Sequence, residues 1–168
     1  MKIYITGLSG TGKSSIVKSL VAKGVKAIDI DDDLCHWENK HTGERTDWES
    51  GSSDEWHEAH QWLCDIERLK QILSEEKNVV VVGLASNQDD YLRLFDKVFF
   101  LHCSPEILVD RIKSRTDNDF GKHPIEQKRI LGWQKEFEEK MRARGALPLD
   151  AERSLETTVA DVISHLEK

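Results

Sequence analysis

The stretch GLSGTGKSS near the N-terminus constrains the fold of this chain more than any other part of the sequence. Gly7, Gly12, Lys13 and Ser14 match the pattern G-x-x-x-x-G-K-[ST] of phosphate-binding loops. Residues 2–6 before it form a short run rich in residues that favour strands, and the residues after it have helical periodicity. In such a setting glycines let successive backbone N–H groups converge on phosphate oxygens, and the helix N-terminus adds positive potential. We therefore expect a strand, a phosphate-binding loop and a helix in that order.

The residue types in this loop predict how a nucleotide and a metal ion would bind. Lys13 is expected to reach the β- and γ-phosphates, and Ser14 to offer its hydroxyl to Mg²⁺. The other loop residues would surround the phosphates with N–H groups and hydroxyls. The nucleotide-binding residues that we expect in the loop are Gly7, Ser9, Gly10, Thr11, Gly12, Lys13, Ser14 and Ser15.

Strand-like and helix-like segments alternate along the rest of the chain. This alternation predicts an α/β fold: a three-layer sandwich in which a mostly parallel five-stranded sheet has helices on both faces. The expected strands are 2–6, 25–30, 78–83, 97–101 and 146–149. The expected helices begin at Lys13, Asp54, Pro105, Pro124 and Ser154.

The segment after the second strand is the least regular. Residues 34–53 are polar and contain two glycines, which predicts a loop-rich insertion. Apolar residues then recur at intervals of three and four over 54–73, which is typical of one long amphipathic helix. With 168 residues the chain is expected to form a single domain, 1–168, around one core.

Composition excludes several classes of partner. The formal net charge of −7 argues against a nucleic-acid-binding surface, which is normally basic. No apolar run approaches membrane-spanning length, and the N-terminus lacks a signal-peptide core. We therefore expect a cytoplasmic protein with three reduced cysteines and no membrane partner. Monomer and homodimer both stay open.

Two classes of nucleotide hydrolase fit the sequence poorly. A switch GTPase needs an aspartate where the NKHT sequence at 39–42 has Thr42. A motor or AAA-type ATPase would normally be longer and have a carboxylate closing a central strand. After the apolar run ending at Val82 this chain has Gly-Leu-Ala-Ser-Asn instead.

Four motifs in chain order resemble the small P-loop kinases, the superfamily of shikimate, gluconate, adenylate and cytidylate kinases. They are GLSGTGKS at 7–14, DIDDD at 29–33, Gly83 after a β run, and DRIKSRTDNDFGK at 110–122. The resemblance covers the order of elements along essentially the whole chain. It implies an ATP- and Mg²⁺-dependent phosphotransferase.

The resemblance also implies roles for particular residues. Arg111 would stack on the adenine, and Arg115 would contact the transferring phosphoryl group at the start of a mobile lid, residues 115–123. Asp31 and Asp33 match paired aspartates of shikimate-type kinases, of which one acts near Mg²⁺, here Asp31, and one near the acceptor hydroxyl, here Asp33. Spacing of i, i+2 at a strand end is consistent with both facing one cleft.

The acceptor side is less determined by sequence. Arg45 could clamp an anionic acceptor, and Asn87 lies where the family contacts the acceptor or metal-bound water. Trp37 and Trp48 could stack on a planar acceptor, or they could be ordinary packing. The expected acceptor is a nucleoside, a nucleotide or a similar hydroxyl-bearing metabolite. The alternative is an ATP-binding regulatory sensor that transfers no phosphoryl group.

Overall fold

The computed structural model describes residues 1–116 and 118–166, and the side chain of Asp33 lies outside what it describes. The strands are β1 (Lys2–Thr6), β2 (Ala27–Asp29), β3 (Cys35–Asn39), β4 (Arg45–Thr46), β5 (His60–Cys64), β6 (Val79–Val82), β7 (Lys97–His102) and β8 (Leu147–Asp150). The α-helices are α1 (Lys13–Ala22), α2 (Ile30–Asp33), α3 (Asp54–Ala59), α4 (Ile66–Glu75), α5 (Gln88–Tyr91), α6 (Pro105–Ser114), α7 (Pro124–Ala143) and α8 (Leu155–Leu166).

Five strands form an all-parallel sheet in the order β2-β6-β1-β7-β8. Strand β1 lies at its centre, where Ile5 pairs with Val82 of β6 on one side and with Phe99 of β7 on the other. The predicted α/β fold is confirmed, and the sheet is fully rather than mostly parallel. Because all five strands point the same way, the loops that follow them meet at one edge of the sheet.

Helices cover both faces of this sheet and give the predicted three layers. Leu20 of α1 and Val159 of α8 belong to the core on one face. Leu69 of α4 and Tyr91 of α5 belong to the core on the other. Residues Val79–Val82 are 0% exposed, as expected for a strand that is covered on both sides.

The segment after β2 differs most from the sequence expectation. Irregular structure over 34–53 and one helix over 54–73 are both wrong predictions. The first range contains β3 and β4, and the second is divided into α3, β5 and α4. The three strands form an antiparallel sheet in the order β4-β3-β5, in which Trp37 pairs with Trp62.

Pairing between strands explains this error. The apolar residues at 54–73 satisfy a helical spacing, whereas His60–Cys64 also fits the length of a strand. Strand β3 satisfies the backbone of that strand from a distant part of the sequence, so the pairing decides the conformation. Asp65 then begins α4, since its carboxylate accepts from the N–H of Arg68 at 3.0 Å.

The small sheet is fixed to the main sheet through the loop after β6. The N–H of Ser86 donates to the carbonyl of Trp62 at 2.7 Å. The Asn87 side chain accepts from the N–H of Cys64 at 3.0 Å and donates to its carbonyl at 2.9 Å. These contacts hold β5 beside the edge where the main strands end.

The remaining helices agree with their predicted starts. Lys13 begins α1, and Pro105 and Pro124 occupy the first turns of α6 and α7. Ser154 precedes α8, and its hydroxyl accepts from the N–H of Thr157 at 3.2 Å. No helix in residues 1–116 or 118–166 is both long enough and apolar enough to span a membrane.

Gly83 should be intolerant of a side chain. It has a φ of +151°, and an added Cβ would overlap Ile30 Cγ1. We expect Gly83→Ala to lower the free energy of unfolding by about 2 to 4 kcal/mol, from backbone strain and overpacking together. Urea denaturation followed by far-ultraviolet circular dichroism measures this change.

Gly132→Ala is the matched control for that substitution. Gly132 lies within α7, and a Cβ there would meet no atom within 4 Å. Because alanine is the better helix former, this variant should gain about 0.5 to 1 kcal/mol. Equal effects of the two substitutions would contradict the role given to Gly83.

Candidate active site

A cavity of about 410 Å³ lies where the strands of the main sheet end. The loop before α1, the C-terminal part of α6 and the start of α8 supply its walls. Its lining segments are 9–16, Asp31, Leu101, residues within 111–118, and residues within 151–158. The volume lies within the range of small-molecule sites.

The loop between β1 and α1 has the backbone that its sequence predicts. Gly10 and Gly12 have φ values of +91° and +96°, which other residues rarely adopt. At Gly10 an added Cβ would also press on Ile112 Cγ1 at 2.7 Å. Gly12 offers no side-chain cap to α1, so the N–H groups of the first helical turn are left to the cavity that Lys13 and Ser14 line. These observations fit a phosphate ligand.

Lys13 lies against the loop itself. Its ammonium donates to the carbonyls of Gly7 at 2.7 Å and Leu8 at 3.2 Å. Burial lowers the pKa of Lys13, and the neighbouring carboxylates of Asp31 and Asp29 oppose that effect. A partly desolvated ammonium with weak carbonyl partners is well suited to bind a phosphate instead.

Asp29 is a site residue that sequence reasoning missed. Its Oδ2 accepts from the hydroxyl of Ser14 at 3.0 Å, and its Oδ1 accepts from the N–H of Asp31 at 3.1 Å. A carboxylate and a hydroxyl side by side are oxygen donors of the kind that Mg²⁺ prefers. Asp29 lies two residues before Asp31 in the same acidic run, so the signal was present in the sequence. The strand-spacing argument does not hold, because β2 ends at Asp29 and Asp31 belongs to α2.

Asp31 lies in the cavity wall beside the phosphate loop. The indole N–H of Trp62 donates to its Oδ1 at 2.9 Å. Burial raises the pKa of Asp31, and the Lys13 ammonium and the Trp62 hydrogen bond oppose that shift. A carboxylate of raised pKa is a better proton acceptor than an ordinary one. Asp33 closes α2, and its side chain lies outside the described part of the chain.

Both predicted arginines line the cavity, Arg111 from within α6 and Arg115 from the position directly after it. Arg111 donates to the carbonyl of Ala151 at 2.8 Å, which ties α6 to the segment before α8. Arg115 donates to the hydroxyl of Ser9 at 3.0 Å and to the carbonyl of Phe120. The second arginine therefore connects the phosphate loop to the predicted lid.

The other predicted acceptor residues lie elsewhere or are already bonded. Arg45 is exposed and pairs with Glu38 across β3 and β4, so it lies on the opposite face of the small sheet from Trp62. The structure does not bring it to Asp31. Both polar groups of the Asn87 amide bind the main chain of Cys64. That geometry suits a residue that positions β5.

A buried carboxylate joins the small sheet's loops to the lid. Glu126 of α7 is 1% exposed and accepts from the indole N–H of Trp48 at 3.1 Å and the N–H groups of Gly51 and Gly121. His57 Nε2 lies 4.0 Å from the same carboxylate. Sequence reasoning missed Glu126 because nothing local marks a helical glutamate as buried.

Arg153 is a further cavity residue that was not predicted individually. It lines the cavity, and it forms an ion pair with Asp161 at 2.6 Å. The segment LDAERS at 149–154 was the available signal, since it directly follows the last strand of the sheet.

The sequence matches the model of a family described as an AAA domain over residues 3–132. The chain belongs to this family. Among its relatives are a "Putative adenylate kinase" of Methanocaldococcus jannaschii, 30% identical over 68% of this chain and 59% of that protein, and a shikimate kinase of Chlorobaculum tepidum, 31% identical over 73% and 63%. This AAA-domain chain thus spans about three fifths of the length of those curated relatives.

Solved structures agree on the fold. Shikimate kinase from Aquifex aeolicus superposes with a TM-score of 0.61 at 19% identity, covering 99% of this chain and 96% of that one. The predicted resemblance to small P-loop kinases is confirmed. The AAA-domain description of this family differs from the sequence argument against motor or AAA-type ATPases. However, β6 ends at Val82 and is followed by Gly83 rather than by a carboxylate, and these relatives are described as kinases.

His57 should make stability depend on pH. Burial lowers the pKa of this side chain, which is 6% exposed, so the unfolded chain binds the proton at a higher pH than the folded chain. The free energy of unfolding should therefore fall as pH drops through about 6.5 toward the lower folded value. His57→Gln should remove this part of the dependence.

Urea denaturation at several pH values between about 7.5 and 5 measures the effect. His41→Gln, at an exposed position in the turn after β3, is the matched reference. Parallel pH profiles for wild type and His57→Gln would show that the buried imidazole contributes nothing.

Proposed function

We propose that this chain is an ATP- and Mg²⁺-dependent phosphotransferase that moves the γ-phosphoryl group of ATP to a hydroxyl of a small-molecule acceptor. The observation that carries the proposal is that the phosphate loop, Asp31, Arg111 and Arg115 line one cavity. The curated relatives' names support a kinase. Because the match covers about three fifths of each relative, the activity of the whole protein is part of this proposal.

The nucleotide would bind along the loop and under the lid. Uncapped N–H groups at the start of α1 and the Lys13 ammonium would hold the phosphates. Arg111 and the segment around Ala151 would lie at the base end, where their hydrogen bond joins two walls of the cavity. Arg115 would bring positive charge to the transferring group.

Ser14 and Asp29 fit a magnesium ion, since their oxygen atoms already lie 3.0 Å apart at the phosphate end of the cavity. Bound Mg²⁺ supplies positive charge that neutralises the phosphate oxygens during transfer. Because Asp29 also accepts from the N–H of Asp31, its carboxylate is held in position before any ligand arrives.

Asp31 would act as the base toward the acceptor. As a new bond forms between the acceptor oxygen and the γ-phosphorus, the bond from that phosphorus to the β–γ bridging oxygen breaks and ADP leaves. The proton of the acceptor hydroxyl passes to the Asp31 carboxylate, whose raised pKa suits this transfer. Nucleosides, nucleotides and similar hydroxyl-bearing metabolites are the acceptors to assay first.

Lys13→Ala should weaken ATP binding and lower kcat/KM for ATP by about 10²- to 10³-fold, since it removes a charge directed at the phosphates. Release of ADP from Mg-ATP, with and without pooled acceptors, measures turnover. Lys23→Ala, at the exposed far end of α1, is the matched control. Unchanged ATP binding and turnover in Lys13→Ala would refute the proposal.

Asp31→Asn should separate catalysis from nucleotide binding. The amide oxygen can still accept from Trp62, but it cannot take the acceptor proton. Acceptor-stimulated turnover should fall by about 10²- to 10⁴-fold while ATP affinity changes little. Asp32→Asn, its exposed neighbour, is the control. Tight ATP binding with no stimulated turnover in wild type would favour a regulatory sensor instead.

A further inference from the structure

Half-buried aromatic rings form a cluster beside the proposed transfer site. Trp37 of β3 lies at its centre, with ring centroids 5.1 Å from Trp56, 5.5 Å from Trp62 and 6.4 Å from Phe120. Trp48 packs on Phe120 at 5.5 Å. We call these five residues the aromatic cluster. It contains four of the five tryptophans of the chain, and none of its rings is fully buried.

The aromatic cluster touches two groups that the proposed reaction uses. Trp62 binds Asp31, the proposed base, through its indole N–H. The carbonyl of Phe120 accepts from Arg115, the arginine proposed for the transferring phosphoryl group. An acceptor whose hydroxyl lies at Asp31 would therefore meet Trp62, the member of the aromatic cluster that is bonded to that carboxylate.

Charges around the aromatic cluster are negative. Two of its indoles donate to carboxylates of low exposure, Trp62 to Asp31 and Trp48 to Glu126. Residues 34–65 carry eight carboxylates against two basic residues other than histidine, so most of the net charge of the chain lies in this segment. Of these two carboxylates, Asp31 is stabilised by the Lys13 ammonium on its phosphate-loop side, and Glu126 has His57 Nε2 at 4.0 Å.

Arg115 reaches the backbone carbonyl of Phe120 and also donates to Ser9, and the other basic groups nearby are bonded away from the rings. Lys40 donates to the carbonyl of Glu58, and Arg45 lies on the other face of the small sheet. Arg129 pairs with Asp54 and lies over Trp133. In the described ranges, the cation–π contacts fall on Trp133 and Phe100, outside the aromatic cluster.

One polar group inside this region is unsatisfied. His57 has its ring 5.2 Å from Trp56 and 6.2 Å from both Trp37 and Phe120, and its side chain is 4% exposed. Among the described residues, its Nε2 has no hydrogen-bond partner. A buried polar atom left unpaired next to aromatic faces is consistent with a partner supplied by a ligand.

We propose that the acceptor is a cationic alcohol, whose hydroxyl lies at Asp31 and whose ammonium group lies against the aromatic cluster. The proposal rests on the proposed function and narrows its acceptor. Rings flanked by carboxylates attract a cation by cation–π and Coulombic forces together. Carboxylate- or phosphate-bearing acceptors should bind more weakly, because the basic groups near the cluster are already bonded, Arg115 to Ser9 and the Phe120 carbonyl and Arg129 to Asp54.

Three small molecules of one shape and different charge test this directly. Choline, 3,3-dimethylbutan-1-ol and 3,3-dimethylbutanoate share a bulky quaternary centre and are a cation, a neutral alcohol and an anion. Their dissociation constants can be measured by tryptophan fluorescence at constant ionic strength. We expect choline to bind about tenfold tighter than the neutral alcohol. The anion should bind most weakly.

Trp37→Leu tests the location. This substitution should raise the dissociation constant of choline about fivefold and leave that of the neutral alcohol nearly unchanged. Leucine keeps the apolar surface but removes the aromatic face that attracts a cation. Trp133→Leu, at an exposed tryptophan of α7, is the matched control. The comparison among the three ligands uses wild type alone, so it stands even where a variant fails to fold.

The proposal of a cationic acceptor would be overturned if choline did not bind or bound no tighter than the neutral alcohol. Tighter binding of the anion than of choline would overturn it as well. These measurements need no ATP turnover. Selective choline binding without any kinase activity would refute the proposed function alone. Turnover stimulated best by anionic acceptors would refute the cationic acceptor and leave the kinase in place.

Discussion

The central, buried position of β1 is the constraint on which the rest of the site depends. A loop can present its backbone N–H groups to a phosphate only when the strand before it and the helix after it are rigid. Pairing on both sides, to β6 and β7, gives β1 that rigidity. Because every strand of the sheet is parallel, the ends of β2 and β8 arrive at the same edge and bring their loops with them.

Two hydrogen bonds then convert this shared edge into a site. The bond from Ser14 to Asp29 joins the start of α1 to the end of β2, although β6 lies between β2 and β1, the strand that leads into the loop. Arg111 to the carbonyl of Ala151 does the same on the opposite side, between α6 and the segment after β8. The bonded residues are 15 positions apart in the first contact and 40 positions apart in the second. Each is available because parallel topology places the loops together.

A single buried carboxylate joins the small sheet to the predicted lid. Glu126 receives N–H groups from Trp48 and Gly51 in one segment and from Gly121 at the end of the predicted lid. Three donors offset much of the cost of burying its charge. The small sheet and the lid are therefore joined through α7, and a ligand that reaches the aromatic cluster contacts residues from both.

Local patterns in the sequence were sufficient for the phosphate loop, the main strands and the helices with clear start signals. Glycines at positive φ determine the backbone of the GLSGTGKSS loop, and the VVVV run followed by glycine correctly indicated a strand covered on both faces. Proline and serine caps located α6, α7 and α8. The structure of residues 34–73 could not be predicted in this way. Over His60–Cys64 the helical spacing competed with a strand whose partner, Cys35–Asn39, lies more than twenty residues earlier.

The sequence by itself therefore determined the phosphate-binding chemistry and the fold class, because both follow from residues that are close together along the chain. Tertiary structure alone decided that Asp29 lies beside Ser14, that Arg45 faces away from Asp31, and that the tryptophans gather into one cluster. These outcomes depend on hydrogen bonds between distant strands and on which face of a strand meets the sheet edge. Changing a register by one residue would reverse that face, and local sequence patterns do not encode register.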